Sequence, residues 1–206
     1  MKIEAKFVSK NNRLYRISDD SEVSLVSKMR MEAALICGKE LEEGALKKMT
    51  SELTATKNKI LCVYLPWFLV ENVPESYNEE VLASLRNFLK EIEEGGLNAI
   101  IVPQLESDSC PMKLFSNGET LYMPAVEYFI AAMKHTARRI KDCESIIGFA
   151  IPKEILGAGL GENSPAASYM EELSQKHAHY VYFASREDVE NLNLSEQIAE
   201  SAVVLY

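Results

Sequence analysis

Lys153 and Glu154 close an apolar run that begins at Ser145, Ser-Ile-Ile-Gly-Phe-Ala-Ile-Pro-Lys-Glu. A strand buried on both faces requires such a run, and α/β folds place their chemistry at the carboxyl ends of such strands. A carboxyl group there is a candidate general acid or base if burial or a neighbouring carboxylate raises its pKa. Lys153, if close, acts in the opposite sense and holds Glu154 ionised. The competing reading of Lys153-Glu154 is a solvated charged pair at a strand end. Gly157-Ala-Gly-Leu-Gly161 follows at once. It fails as a dinucleotide fingerprint, because Glu162 would face the pyrophosphate and the loop is not at a first strand-to-helix turn. It reads as a flexible connection, and no cofactor is expected. His177 and His179 could give two metal ligands, but no third has suitable spacing, so no metal is expected. No Ser/His/Asp or Cys/His set can be assembled.

The elements that must position these groups follow a regular alternation. Lys2–Ser9 and Arg13–Ser18 flank Asn11-Asn12 and predict a β-hairpin. Core strands are expected at Ala33–Cys37, Lys59–Trp67, Leu97–Pro103, within Ser145–Glu154, at His179–Ala184 and at Ala202–Tyr206. Between them the spacing predicts helices over Lys39–Thr54, from a Ser76/Glu79 capping box to Gly95-Gly96, over Pro124–Lys141, from Ser164-Pro165 to about Lys176, and from Ser185 to about Glu200. Each connection is long enough for a right-handed parallel crossover. The expectation is a single α/β domain over residues 1–206, with a hairpin and lead-in at 1–28 and βα repeats over 31–206. Periodicity leaves two sheets open: an incomplete barrel of about six parallel strands, or an open doubly wound sheet.

Of the 206 residues, 47% are hydrophobic and 26% charged, enough for a substantial core. A net charge of -9 would repel nucleic acid or an anionic membrane rather than steer it in. The start lacks the apolar core of a signal peptide, and no run approaches a membrane span. Cys37, Cys62, Cys110 and Cys143 are irregularly spaced and read as reduced thiols of a cytoplasmic protein.

Several of these strands resemble the cellulase-type glycoside hydrolases, the (β/α)8-barrel clan that includes family five. Leu61-Cys-Val-Tyr-Leu-Pro-Trp67 is similar to their second strand, and Gly96–Pro103 with the preceding helix is similar to their third. Arg138–Glu154 resembles the fourth, whose final glutamate is that family's general acid/base, and Ala202–Tyr206 resembles the sixth. The amino-terminal hairpin matches the lid under those barrels.

What the resemblance implies is a sugar site at the carboxyl ends of the strands, with Glu154 in the acid/base position. The departures matter as much. Tyr64 stands where the family has a strand-two arginine, Pro103-Gln104 where it has an aromatic or histidine, and Lys153 where it has the asparagine that binds a sugar hydroxyl. Strands seven and eight, and with them the nucleophile, are absent. Retaining hydrolysis needs two carboxyl groups about 5–5.5 Å apart, inverting hydrolysis about 6.5–9.5 Å. Glu106, at the end of strand three, is the candidate partner for Glu154 across the longer gap. Trp67 is either a sugar-stacking platform or an aromatic that covers the sheet edge. Tyr64, Gln104, Lys153 and Tyr206 complete the expected binding set.

The expectation is therefore a degenerate glycoside hydrolase-like protein without catalysis, binding carbohydrate or a protein partner. The alternative is an active α/β enzyme that uses the loop after strand four for a small anionic ligand. Strand order separates them, since only a doubly wound sheet has a switch point. Edges at Ala33–Cys37 and Ala202–Tyr206 lack blunting charges, so a homo-oligomer is expected.

Overall fold

The computed structural model describes residues 3–25, 29–33, 60–105, 115–116 and 120–206. The chain opens with β1 (Phe7–Lys10), β2 (Arg13–Arg16) and β3 (Glu22–Val23), an antiparallel sheet. The predicted Asn-Asn turn joins the first two strands. Asn11 and Asn12 have φ of 50° and 59°, the left-handed pair that a tight hairpin turn demands. β4 (Met29–Glu32) and β5 (Ile60–Pro66) then begin the main sheet.

A one-turn helix α1 (Trp67–Val70) and a small ribbon of β6 (Glu71–Val73) and β7 (Ser76–Tyr77) lead to α2 (Glu79–Glu94). The predicted stripe of Val81, Leu82, Leu85, Phe88, Leu89 and Ile92 is buried on α2. Its cap, however, is Asn78, whose side chain accepts from the Val81 amide at 3.2 Å, because Ser76 is already paired in the ribbon. β8 (Asn98–Gln104), the pair β9 (Phe115–Ser116) and β10 (Thr120–Leu121), and α3 (Met123–Arg139) follow.

The strand of the 145–154 run is β11 (Ile146–Ala150), and Pro152 starts a one-turn helix, α4 (Lys153–Leu156). Next come α5 (Pro165–Ser174), capped by Ser164, and β12 (Val181–Ala184). The single helix expected from Ser185 to Glu200 is two, α6 (Arg186–Asn191) and α7 (Ser195–Ala199). They break at Asn193, whose φ is 56°. β13 (Val204–Leu205) is the last element.

The first core strand lies four residues earlier than the apolar run suggested. Met29–Glu32 pairs in parallel with Leu61–Tyr64, whereas Ala33 already has helical geometry. Alanine and leucine favour helix over strand, so a run such as Ala-Ala-Leu is a poor strand signal. Ala34–Cys37 and the helix expected over Lys39–Thr54 lie outside the described residues.

The main sheet runs β4-β5-β8-β11-β12-β13, all parallel and in chain order. No order reversal occurs, so there is no switch point and the doubly wound alternative is set aside. Alternate residues divide two cores. Leu61, Val63, Leu65, Ala99, Ile101 and Phe149 pack outward against α2, α3 and α5. Ile60, Cys62, Ile100, Val102, Ile147, Val181, Phe183 and Val204 pack inward, where the hairpin contributes Phe7 and Leu14. Closed barrels fill this space from their own strands. Here the hairpin helps fill it.

The hairpin is also clamped to the sheet. The Asn12 side-chain amide donates to the carbonyls of Ile198, Ser201 and Val203 at 2.6, 3.1 and 2.8 Å. Asn12 O in turn accepts from the Leu205 amide at 3.1 Å, which occupies part of the β13 edge. At the other end Lys6 reaches Glu144 at 2.8 Å.

Candidate functional site

The concave face carries polar groups where its strands end. Arg30 pairs with Cys62 and Glu32 with Tyr64 across β4 and β5, so with a two-residue side-chain period all four share that face. The Arg30 guanidinium carbon lies 3.8 Å from the centroid of the Tyr64 ring, a cation–π contact. Its Nε donates to Glu32 at 2.7 Å, and this bond holds the guanidinium above its ordinary pKa. Gln104, half-buried, ends β8 opposite Pro66, two residues past Val102 on the same face.

From the far side of the sheet Tyr206 continues β13. Its amide donates to Ala184 O at 3.0 Å, and its ring meets Phe183 edge-on with centroids 6.4 Å apart. Burial pushes both the Tyr64 and Tyr206 hydroxyls up, and Tyr64 adds to the upward shift of Tyr206. Asp188, at the start of α6, and Cys62 push both the same way. Both hydroxyls are therefore neutral donor-acceptors at physiological pH. Together these groups offer hydrogen bonds of both senses around an apolar floor.

Trp67 takes no part. It is 1% exposed, packs edge-on against Phe129 at 5.8 Å, and donates from Nε1 to Glu71 at 2.7 Å. Neither ring face is open to a sugar, so the stacking expectation is corrected to a core role. Position explains it. Trp67 continues the outward row of Val63 and Leu65, beneath α2 and α3.

Lys153 and Glu154 sit on α4, past the carboxyl end of β11, Lys153 exposed and Glu154 half-buried. Glu106 lies outside the described residues. Arg30 and Glu32 escaped the sequence reading. The signal was present, as charged residues alternating with Met29 and Met31 in a short strand, but apolar-run counting passes over it.

The glycine loop is pinned rather than open. Gly159 has φ of 83°, and the next amide, of Leu160, donates to Gln197 Oε1 at 2.9 Å. Among the described residues no group of three or more His, Cys, Asp or Glu side chains could hold a metal. No helix among them is long and apolar enough to cross a membrane.

No protein-family model matches the chain, and no curated protein matches it by sequence. Solved structures do match. An exo-beta-1,4-mannosidase from Opitutaceae bacterium strain TAV5 superposes with a TM-score of 0.62 at 11% identity, over 86% of this chain and 34% of that one. The complex of a Pyrococcus horikoshii endocellulase with cellotetraose gives 0.57 at 11% identity, over 87% and 56%. A GH5_18 protein from Bifidobacterium longum subsp. infantis gives 0.56 at 12% identity, over 78% and 43%. The fold is that of the family-five glycoside hydrolases, in part. The chain spans between about a third and just over half the length of those neighbours.

Proposed function

We propose that this glycoside hydrolase-like chain binds a β-1,4-linked oligosaccharide at the carboxyl ends of its strands and does not hydrolyse it. The observation that carries the reading is the grouping of Arg30, Glu32, Tyr64 and Tyr206 on one concave face, joined by the 3.8 Å stack of Arg30 on Tyr64. Sugar hydroxyls need neutral donor-acceptors and charged bidentate partners on a partly apolar surface, and these side chains supply them. The structural neighbours include complexes with cellotetraose and with Manβ1-4GlcNAc, which sets the ligands to try first. Against hydrolysis stands the lysine before Glu154, in the position that the family resemblance fills with asparagine.

Two further proposals accompany it. Among the described residues nothing pairs with the outer edge of β4, so a second copy of the chain is the expected cover. The buried thiols of Cys62 and Cys143, neither in a disulfide, favour a reducing, cytoplasmic setting.

The test is to incubate the protein with cellotetraose and with Manβ1-4GlcNAc and measure both heat of binding and new reducing ends. Binding without new reducing ends is expected. Release of reducing ends by the wild type that is lost in Glu154→Gln would overturn the non-hydrolytic half, and no heat with either sugar would overturn the binding half.

A further inference from the structure

At the opposite end of the sheet, where the strands begin, a groove of about 680 Å³ runs between the amino-terminal segment Ile3–Ala5, Lys141 and the stretch Gln175–His179. Its wall holds two imidazoles without hydrogen-bond partners at Nε2. His177 is 6% exposed, His179 is half-buried, and both Nε2 atoms are shielded and unpaired. The Tyr180 ring stacks on His177 at 5.1 Å and tilts against His179 at 4.3 Å, and its buried hydroxyl is unpaired as well. Buried polar groups are normally satisfied, and three unsatisfied ones on side chains whose rings touch call for an explanation.

The charges around the groove are mostly of one sign. Lys141 and Lys176 line it, Arg138 acts on His177 from α3, and Glu4 is the one carboxylate among the lining residues. On a chain with a net charge of -9 this is a local basic concavity. We propose that this groove is a binding site for a phosphate monoester, with Lys141 and Lys176 supplying charge and the His177 and His179 rings supplying N–H donors to the phosphoryl oxygens. A neutral imidazole carries one N–H, on either ring nitrogen according to its tautomer, and the two ammonium groups supply attraction without fixed geometry. The volume exceeds that of a lone phosphate, which leaves room for the body of an ester.

Linkage gives the site a signature that a merely basic surface lacks. In the free protein, burial first, then the charges of His179, Lys141, Arg138 and Lys176, hold His177 down at about 4, and burial lowers His179 too. A bound dianion cancels that repulsion, so both midpoints must rise when the site is filled.

The experiment follows the imidazole signals of the full chain by NMR. The probes are inorganic phosphate, glucose 6-phosphate, and sulfate, which stays dianionic across the titration. Expected are shifts confined to His177 and His179 with all three, a higher His177 midpoint in sulfate, and tighter binding of glucose 6-phosphate than of phosphate. Lys141→Ala with Lys176→Ala, both at solvent-accessible positions, should weaken phosphate by about tenfold or more. His177→Gln, which keeps an N–H donor, should retain binding. Absence of shifts, unchanged midpoints in sulfate, or shifts that persist in the double lysine variant would overturn the proposal. Glucose alone serves as the control: a response to it at His177 and His179 would equally overturn a site that reads the phosphoryl group.

Discussion

The guanidinium of Arg30 covers one face of the Tyr64 ring at 3.8 Å, and the two residues belong to neighbouring parallel strands at the same end of the sheet. Tyr64 stands where the resembled family carries an arginine on strand two, so a guanidinium from strand one occupies the neighbourhood of that position. Arg30→Ala is predicted to cost only about 0.5–1 kcal/mol of stability, since the contact is solvent-accessible. Arg30 lowers the Tyr64 hydroxyl pKa against the upward push of burial, so the variant should titrate higher still. Ultraviolet titration of the tyrosines in alkali, compared with Tyr64→Phe, measures this.

Gly148 sits where β11 and β12 approach closely. A Cβ there would lie 1.8 Å from the Val181 carbonyl oxygen, beside the register shift between β8 and β11. The clash is with backbone and cannot be relieved by a side-chain rotation. Gly148→Ala is expected to destabilise by about 3 kcal/mol or more, read as a lower urea midpoint with an unchanged slope.

Asn12 ties the hairpin to the last strand through one side-chain nitrogen and three carbonyls. Asn12→Gly keeps the left-handed backbone and loses those bonds, so it isolates the clamp. A loss of about 1–3 kcal/mol is expected, with faster amide exchange at Leu205, whose N–H bonds Asn12 O.

Trp67 is the sole tryptophan, so fluorescence reads its surroundings alone. Its burial predicts blue-shifted emission and weak quenching by acrylamide until the protein unfolds. Glu71 is 2% exposed and accepts both the indole N–H and the Glu75 amide at 2.6 Å. Glu71→Ala strands two donors and should cost about 2–4 kcal/mol, whereas Glu71→Gln retains one acceptor and should cost less.

His177 gives stability a pH dependence of known sign. Its folded pKa, about 4, lies below the ordinary 6.5, so the unfolded chain binds more protons between the two values. Stability is therefore full above about pH 6.5 and falls as pH drops toward 4, by at most about 1.4 kcal/mol per pH unit from this group. His177→Phe should flatten that part of the profile in urea unfolding measured at each pH.

Much of the scaffold was legible because burial writes a period into the chain. The α2 stripe, the apolar runs of β5 and β8 and the Asn-Asn turn are local patterns with one physical cause each. Legibility failed where a residue answers to a neighbour distant in sequence. Arg30 and Glu32 make β4 look like a polar lead-in, because their side chains face the concave site instead of a core. Trp67 follows Pro66 at a strand end, where either face was open until α2 and α3 closed over one. The helix expected after Ser185 has continuous polar and apolar spacing, and only the left-handed Asn193 divides it. Glu154 was found as a strand-end acid, yet what surrounds it is set by tertiary packing that spacing does not encode.

The most direct test of the account is to label the tyrosine rings isotopically and titrate the protein with cellotetraose, following the Tyr64 and Tyr206 signals. The account predicts saturable shifts of both rings in the wild type, with the Tyr206 shift abolished in Arg30→Ala with Tyr64→Ala, while the ligand stays intact. Shifts confined to tyrosines away from the concave face, such as Tyr122 or Tyr15, or no shift at any sugar concentration, would contradict it.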